Sequence, residues 1–272
     1  MTHDYCFEHD DWAVATDGMV IFGTLNEPVQ VTIAEGATVT LRNVVINQDG
    51  SLNETAWTYT DAFPGLYCRD DATLIIADGS INLITGYTAD PDGYYGYPGI
   101  ASSGTLTIKG GPNGTGVLNV TGGAGAAGIG TGTNFTYNSP IGGNIIIQGG
   151  VINATGKNGG AGIGTGKTWA DAYSRNYFGD ITITGGTITA ISEGNGAGIG
   201  SGQHYEIYPM SGNEILNPCG NITISGGTIT AYSNGNGSSV GKGLHSSCGT
   251  ITVDDVTTES ISECFYYPES NP

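Results

Sequence analysis

Apolar and polar residues alternate along this chain in short bursts, and the bursts recur. From Val31, the run VTIAEGATVTLRNVVIN sets Val31, Ile33, Val39 and Leu41 at strand-like alternation, the pattern of an element with one buried face. Echoes follow at Thr73 (TLIIADGSINLI), Thr105 (TLTIKGG), Asn144 (NIIIQGGVINAT), Asp180 (DITITGGTITAI) and Asn221 (NITISGGTITAY), with a weaker copy at Thr250 (TITVDDVTT). A Gly-Gly pair divides the later copies into two strands, because glycine supplies the positive φ that a tight turn needs.

A second recurring segment sets the period. AAGIGTG at 126–132, GAGIGTG at 160–166 and GAGIGSG at 196–202 are nearly identical, and fainter versions centre on Leu66, Ile100 and Val240. The anchors Leu66, Ile100, Ile129, Ile163, Ile199 and Val240 are spaced by 34, 29, 34, 36 and 41 residues. Constant motifs separated by inserts of changing size mark a solenoid whose coils carry different loops. Strands this short pair only with their copies above and below, at about 4.8 Å per coil. The expected fold is all-β: a single-domain right-handed parallel β-helix of about seven coils and three parallel sheets, with aromatic-rich loop insertions.

Three interior columns follow from that register. Leu106, Ile145, Ile181, Ile222 and Ile251 should stack in the first sheet, Leu118, Ile152, Ile188 and Ile229 in the second, and the anchor residues in the third. Residues 1–30 are expected to form an N-terminal cap, 31–255 the β-helix and 256–272 a C-terminal cap. An uncovered last coil would expose apolar surface and an open strand edge.

Composition narrows the partners. The 272 residues include 48 Gly but only 10 Pro with no Gly-X-Y period, which excludes collagen. Seven basic against 25 acidic residues leave a net charge of −18, which repels nucleic acid and anionic lipid. No apolar run reaches the roughly 20 residues of a membrane span, so membrane insertion is not expected. A surface poor in charge and rich in Thr, Asn, Ser and Tyr reads as extracellular or cell-surface, on a piece of a longer exported protein.

The GNITISGGTITA and GAGIG segments resemble the glycine-rich right-handed β-helix surface proteins of the pectate-lyase-like type, found on anaerobic and gut bacteria. The likeness spans about residues 30–255. It implies the architecture and a link to carbohydrate, since that superfamily holds polysaccharide lyases, glycosidases, phage tailspikes, adhesins and carbohydrate-binding modules. The acidic and basic catalytic patterns of the related lyases and galacturonidases are not found in this sequence.

Strand parity in the AGIG segments, with Ala161 and Ile163 inward, turns Gly162 and Gly164 outward, and likewise Gly128, Gly130, Gly198 and Gly200. The third sheet should then offer a bare backbone strip, flanked by insertions rich in aromatic residues. Tyr87, Tyr94, Tyr95, Tyr97, Trp169, Tyr173, Tyr177, Tyr205 and Tyr208 are the candidate ligand-binding residues, because aromatic rings beside a flat floor suit the apolar faces of sugars. The same aromatics can instead fold back to seal the sheet. The function expected is extracellular recognition of a polysaccharide or a host or dietary glycan, as a carbohydrate-binding module or adhesin. The alternative is a β-helix glycoside hydrolase or polysaccharide lyase, and the sequence leaves open whether the protein is an enzyme. No catalytic set is assigned; Asp171 and Glu206 are the candidate carboxylates of a glycosidase pair. No cofactor is expected apart from Ca2+, for which Asp90 and Asp92 are the candidate ligands in a Pro-Asp-Gly turn. Cys219 and Cys248 each precede a first-sheet anchor by three residues, which predicts that they meet on neighbouring coils as a disulfide. Oligomeric state and the pairing of Cys6, Cys68 and Cys264 stay open.

Overall fold

The computed structural model describes residues 4–6, 14–25, 30–47, 64–88, 96–133, 141–170, 177–206, 218–254 and 257–261. Among them there is no helix. The described strands of every ladder run parallel, in the arrangement expected of a parallel β-helix. One sheet contains eight short strands: Val14–Ala15, Val31–Ile33, Leu66–Cys68, Ile100–Ser102, Ile129–Gly130, Ile163–Gly164, Ile199–Gly200 and Val240–Gly241.

The other two expected sheets are arms of a single 15-stranded sheet. In one arm, Ala72–Ile76, Leu106–Gly110, Ile145–Ile147, Ile181–Ile183, Ile222–Ile224 and Ile251–Val253 stack in sequence order. In the other, Ile81–Thr85, Val117–Thr121, Val151–Gly156, Thr187–Ser192, Thr228–Ser233 and Thr257–Ile261 do the same. The arms meet in the long strand Thr38–Ile46, which has no Gly-Gly break and pairs with both Ala72–Ile76 and Ile81–Thr85.

The three columns stack as the sequence pattern requires. Leu66, Ile100, Ile129, Ile163, Ile199 and Val240 are successive register partners. So are Leu106, Ile145, Ile181, Ile222 and Ile251, and Leu118, Ile152, Ile188 and Ile229. Most of these side chains are fully buried. Each buried isoleucine contributes roughly 1.5–3 kcal/mol, so the columns are the main source of stability.

One position breaks a column for a local reason. Asn82 is the partner of Leu118 and is fully buried, yet it is polar. In Thr38–Ile46 the bonds to the first arm end at Leu41 and those to the second arm begin at Val45, so Val44 has no ladder acceptor there. Asn82 Oδ1 accepts the Val44 N–H at 3.0 Å, while its Nδ2 donates to Ser80 Oγ and to the Val117 carbonyl. A buried amide with its groups satisfied replaces the missing backbone bond.

Strands within both expected caps join the ladder. Val14–Ala15 pairs with Thr32 and Ile33, and Val20–Leu25 pairs with Thr38–Ile46, so stacking starts before residue 30. Asp4–Cys6 pairs in turn with Val20–Phe22. At the other end Thr257–Ile261 extends the second arm beyond residue 255. Within the stretch expected to form the N-terminal cap, Ile21 and Leu25 bury their side chains in the core.

Candidate functional site

The AGIG strand is not an open strip. Gly128, Gly130, Gly162, Gly164, Gly198 and Gly200 are all buried. A Cβ on Gly162 would meet backbone atoms of Ala154 and Ile191 in the neighbouring sheet, so that face points inward. Gly130, Gly164 and Gly200 have φ of +142°, +136° and +136°, and a Cβ on any of them would collide with the carbonyl of the next coil's glycine. Strand parity fails because the motif is extended only at its isoleucine and then bends. The bend brings the Thr165 carbonyl back to the Ala161 N–H at 2.9 Å, and the Thr131 and Ser201 carbonyls close the same turn in their coils. Hydroxyls then cross-link the turns, with Thr131 Oγ1 accepting from Gly166 N, Thr165 Oγ1 from Gly202 N and Ser201 Oγ from Gly243 N.

The insertions leave these turns in an ordered way. Thr168–Ala170 pairs with His204–Glu206, which sets Trp169 opposite Tyr205 in register. In the preceding register pair, Thr168 Oγ1 and His204 Nδ1 lie 2.9 Å apart, both buried. On the returning side Tyr177 is the register partner of Ile141. The neck of the 86–97 excursion is fastened by a Thr88–Gly96 bridge and by the Tyr97 N–H to the Tyr87 carbonyl. Thr88 Oγ1 accepts the Ala124 N–H, and the Lys167 N–H donates to the Gly125 carbonyl. The feet of the 86–97 and 167–180 insertions thus rest on one corner, residues 123–125.

The described expected site residues stand as follows in the fold. Tyr87 is only 2% exposed and presents no face for a sugar. Tyr97 is half-buried, and burial raises its phenol pKa above the usual value. Glu206 is the register partner of Ala170. Asp171, Tyr94, Tyr95, Tyr173, Tyr208, Asp90 and Asp92 lie outside the described residues. Cys219 and Cys248 are register partners on neighbouring coils, as their spacing predicts, but the disulfide is not formed in the structure. Among the described residues no cluster of His, Cys, Asp or Glu could hold a metal ion. Lys167 has its pKa lowered by burial.

A recess among the described residues was not legible in the aromatic pattern. It is an open cleft of about 390 Å³ at the corner where the outer face of the second arm meets the foot of the 86–97 excursion. Leu83, Thr85 and Thr121 come from that face, Thr88 from the excursion, and Lys157 and Asn158 from the next corner, with glycine backbone between them. The strands place these side chains outward because Asn82, Ile84, Leu118 and Val120 take the alternate, inward positions. Thr85 and Thr121 hydroxyls form no hydrogen bond with another described residue. Lys157 is the one charged group in the lining, and its Nζ lies 2.8 Å from Glu193 Oε2. Comparison with protein-family models, with curated proteins and with solved structures finds no match for this chain.

Proposed function

We propose that this chain is an extracellular or cell-surface glycan-recognition module, built as a right-handed parallel β-helix of about seven coils, with the corner cleft as its sugar site. The observation that carries the reading is the cleft lining: two threonine hydroxyls without a partner among the described residues, an apolar wall at Leu83, and close-approach glycine backbone. The described lining holds no carboxylate, histidine or thiol. Its equipment is hydrogen bonding and apolar contact, which supports binding over hydrolysis or elimination.

The charge pattern favours a neutral sugar. Lys157 is matched by Glu193, and the whole chain carries −18, so an acidic ligand would meet repulsion with no uncompensated cation to receive it. A polysaccharide on host or dietary material is the proposed partner, and nucleic acid and lipid surfaces are disfavoured by the same charge.

A glycan array followed by titration calorimetry tests this. The intact protein should bind neutral oligosaccharides, and Thr121→Val should weaken the best of them about fivefold, the loss of one hydrogen bond, with unchanged thermal stability. Absence of binding across the array, or full affinity in Thr121→Val, would remove the cleft as the site.

A further inference from the structure

The outer face of the second arm carries a feature beside the cleft that plain sugar recognition does not use. Leu83 and Asn119 are register partners, and Asn119 is followed in the same file by Asn153. Asn153 Nδ2 donates to Asn119 Oδ1 at 2.8 Å, which occupies the Asn119 oxygen and fixes its amide. The Asn119 Nδ2 group is left with no acceptor among the described residues. On the side away from Asn153 and Thr121 the face is apolar. Ile81 is 63% exposed, Val117 is its register partner, and Leu83 forms the cleft wall.

An exposed isoleucine of this degree stands out in a chain whose other described isoleucines, Ile251 apart, avoid such exposure. It lies on the same strand as two cleft residues, Leu83 and Thr85. An amide donor set among three aliphatic side chains matches a small group with a carbonyl oxygen on one side and a methyl on the other. Hydroxyls of an unmodified sugar would leave the aliphatic surface wet. A charged substituent would find no counter-ion there.

We infer that the cleft continues into a subsite for an acetyl group, so that the preferred ligand is an acetylated sugar whose carbonyl accepts from Asn119 Nδ2 and whose methyl lies on Ile81, Leu83 and Val117. The inference rests on the glycan reading of the cleft and adds the substituent that it selects. An acetamido sugar and an O-acetylated sugar share this chemistry, and matched ligands separate them.

The test is calorimetry of the intact protein with paired probes: N-acetylglucosamine tetramer against glucose tetramer, N-acetylgalactosamine against galactose, and a chemically O-acetylated against an unmodified xylo-oligosaccharide. The acetylated member of at least one pair should bind about tenfold more tightly. Asn119→Ala and, separately, Leu83→Asn should abolish that preference while the unmodified member keeps its affinity in Asn119→Ala. Circular dichroism and thermal melting confirm that each variant folds, and Val117→Thr, a milder change to the same patch, replaces either one that does not. Equal binding of both members of every pair overturns the acetyl subsite and leaves the glycan reading standing. Binding of neither member in any pair overturns both.

Discussion

Lys157 and Glu193 face each other at 2.8 Å from equivalent corner positions of neighbouring coils, one residue past the Gly156 and Ser192 register pair. Both side chains are about two-fifths exposed, at 39% and 41%, so solvent screens the pair and its worth to folding is under about 1 kcal/mol. Its consequence is for the cleft. Glu193→Gln should leave urea denaturation nearly unchanged, yet release Lys157 and raise affinity for a glucuronate-containing oligosaccharide about fivefold over the parent protein, measured by calorimetry. Unchanged discrimination between neutral and acidic sugars would show that Glu193 does not set ligand charge.

Ile163 sits between Ile129 and Ile199 with no exposed surface. Ile163→Ala should cost about 2–5 kcal/mol in denaturant unfolding, and Ile163→Val only about 0.5–1.5 kcal/mol. Equal, small losses for both would mean that the column relaxes around the gap and is not packed as described.

Glycine is demanded to different degrees along the coil. Gly164→Ala must accept φ of +136° and place a methyl against the Gly200 carbonyl, whereas Gly79→Ala meets φ of +68° in open space. The first should destabilise by several kcal/mol or prevent folding, the second by about 1 kcal/mol. Thermal melts of the two variants side by side check the order.

Asp78 bridges a turn by accepting from the backbone N–H groups of Asn113 and Thr115 and from both their side chains. The Asn113 bond is the largest cause of a carboxyl pKa held below the ordinary 3.8. A lowered pKa in the fold gives a contribution that is present above the unfolded-state value and is lost as pH falls through the folded-state value. Asp78→Asn should therefore flatten the acid limb of the stability curve below about pH 4 and leave its shape above that unchanged. A limb with the parent's steepness would show that Asp78 has no share in it.

The columns were readable in the sequence because β-branched residues recur at the same offset from each glycine pair, and register in a parallel ladder is a matter of counting. Cys219 and Cys248 could be placed opposite each other by that count alone. Side-chain direction in the AGIG turn could not, because alternation presumes an extended backbone and Gly130, Gly164 and Gly200 depart from it after a single residue. Tyr87 shows the same limit in a loop: composition marks it as a surface aromatic, while in the fold it is only 2% exposed. The cleft itself joins Leu83, Thr121 and Lys157, residues with no shared motif that only the stacking brings to one corner. The fusion of two sheets comes from Thr38–Ile46 pairing with both arms, and the Asn82 bond to Val44 between the two pairings has no periodic signature.

Because each strand bonds to its counterparts one turn away and not to its neighbours in sequence, a loop between strands can grow, shrink or be replaced while the seams on either side still match. Scaffold and display are thereby inherited separately. Duplicating or deleting one whole turn alters the molecule's length, and rewriting one excursion alters what it touches, without either change disturbing the other.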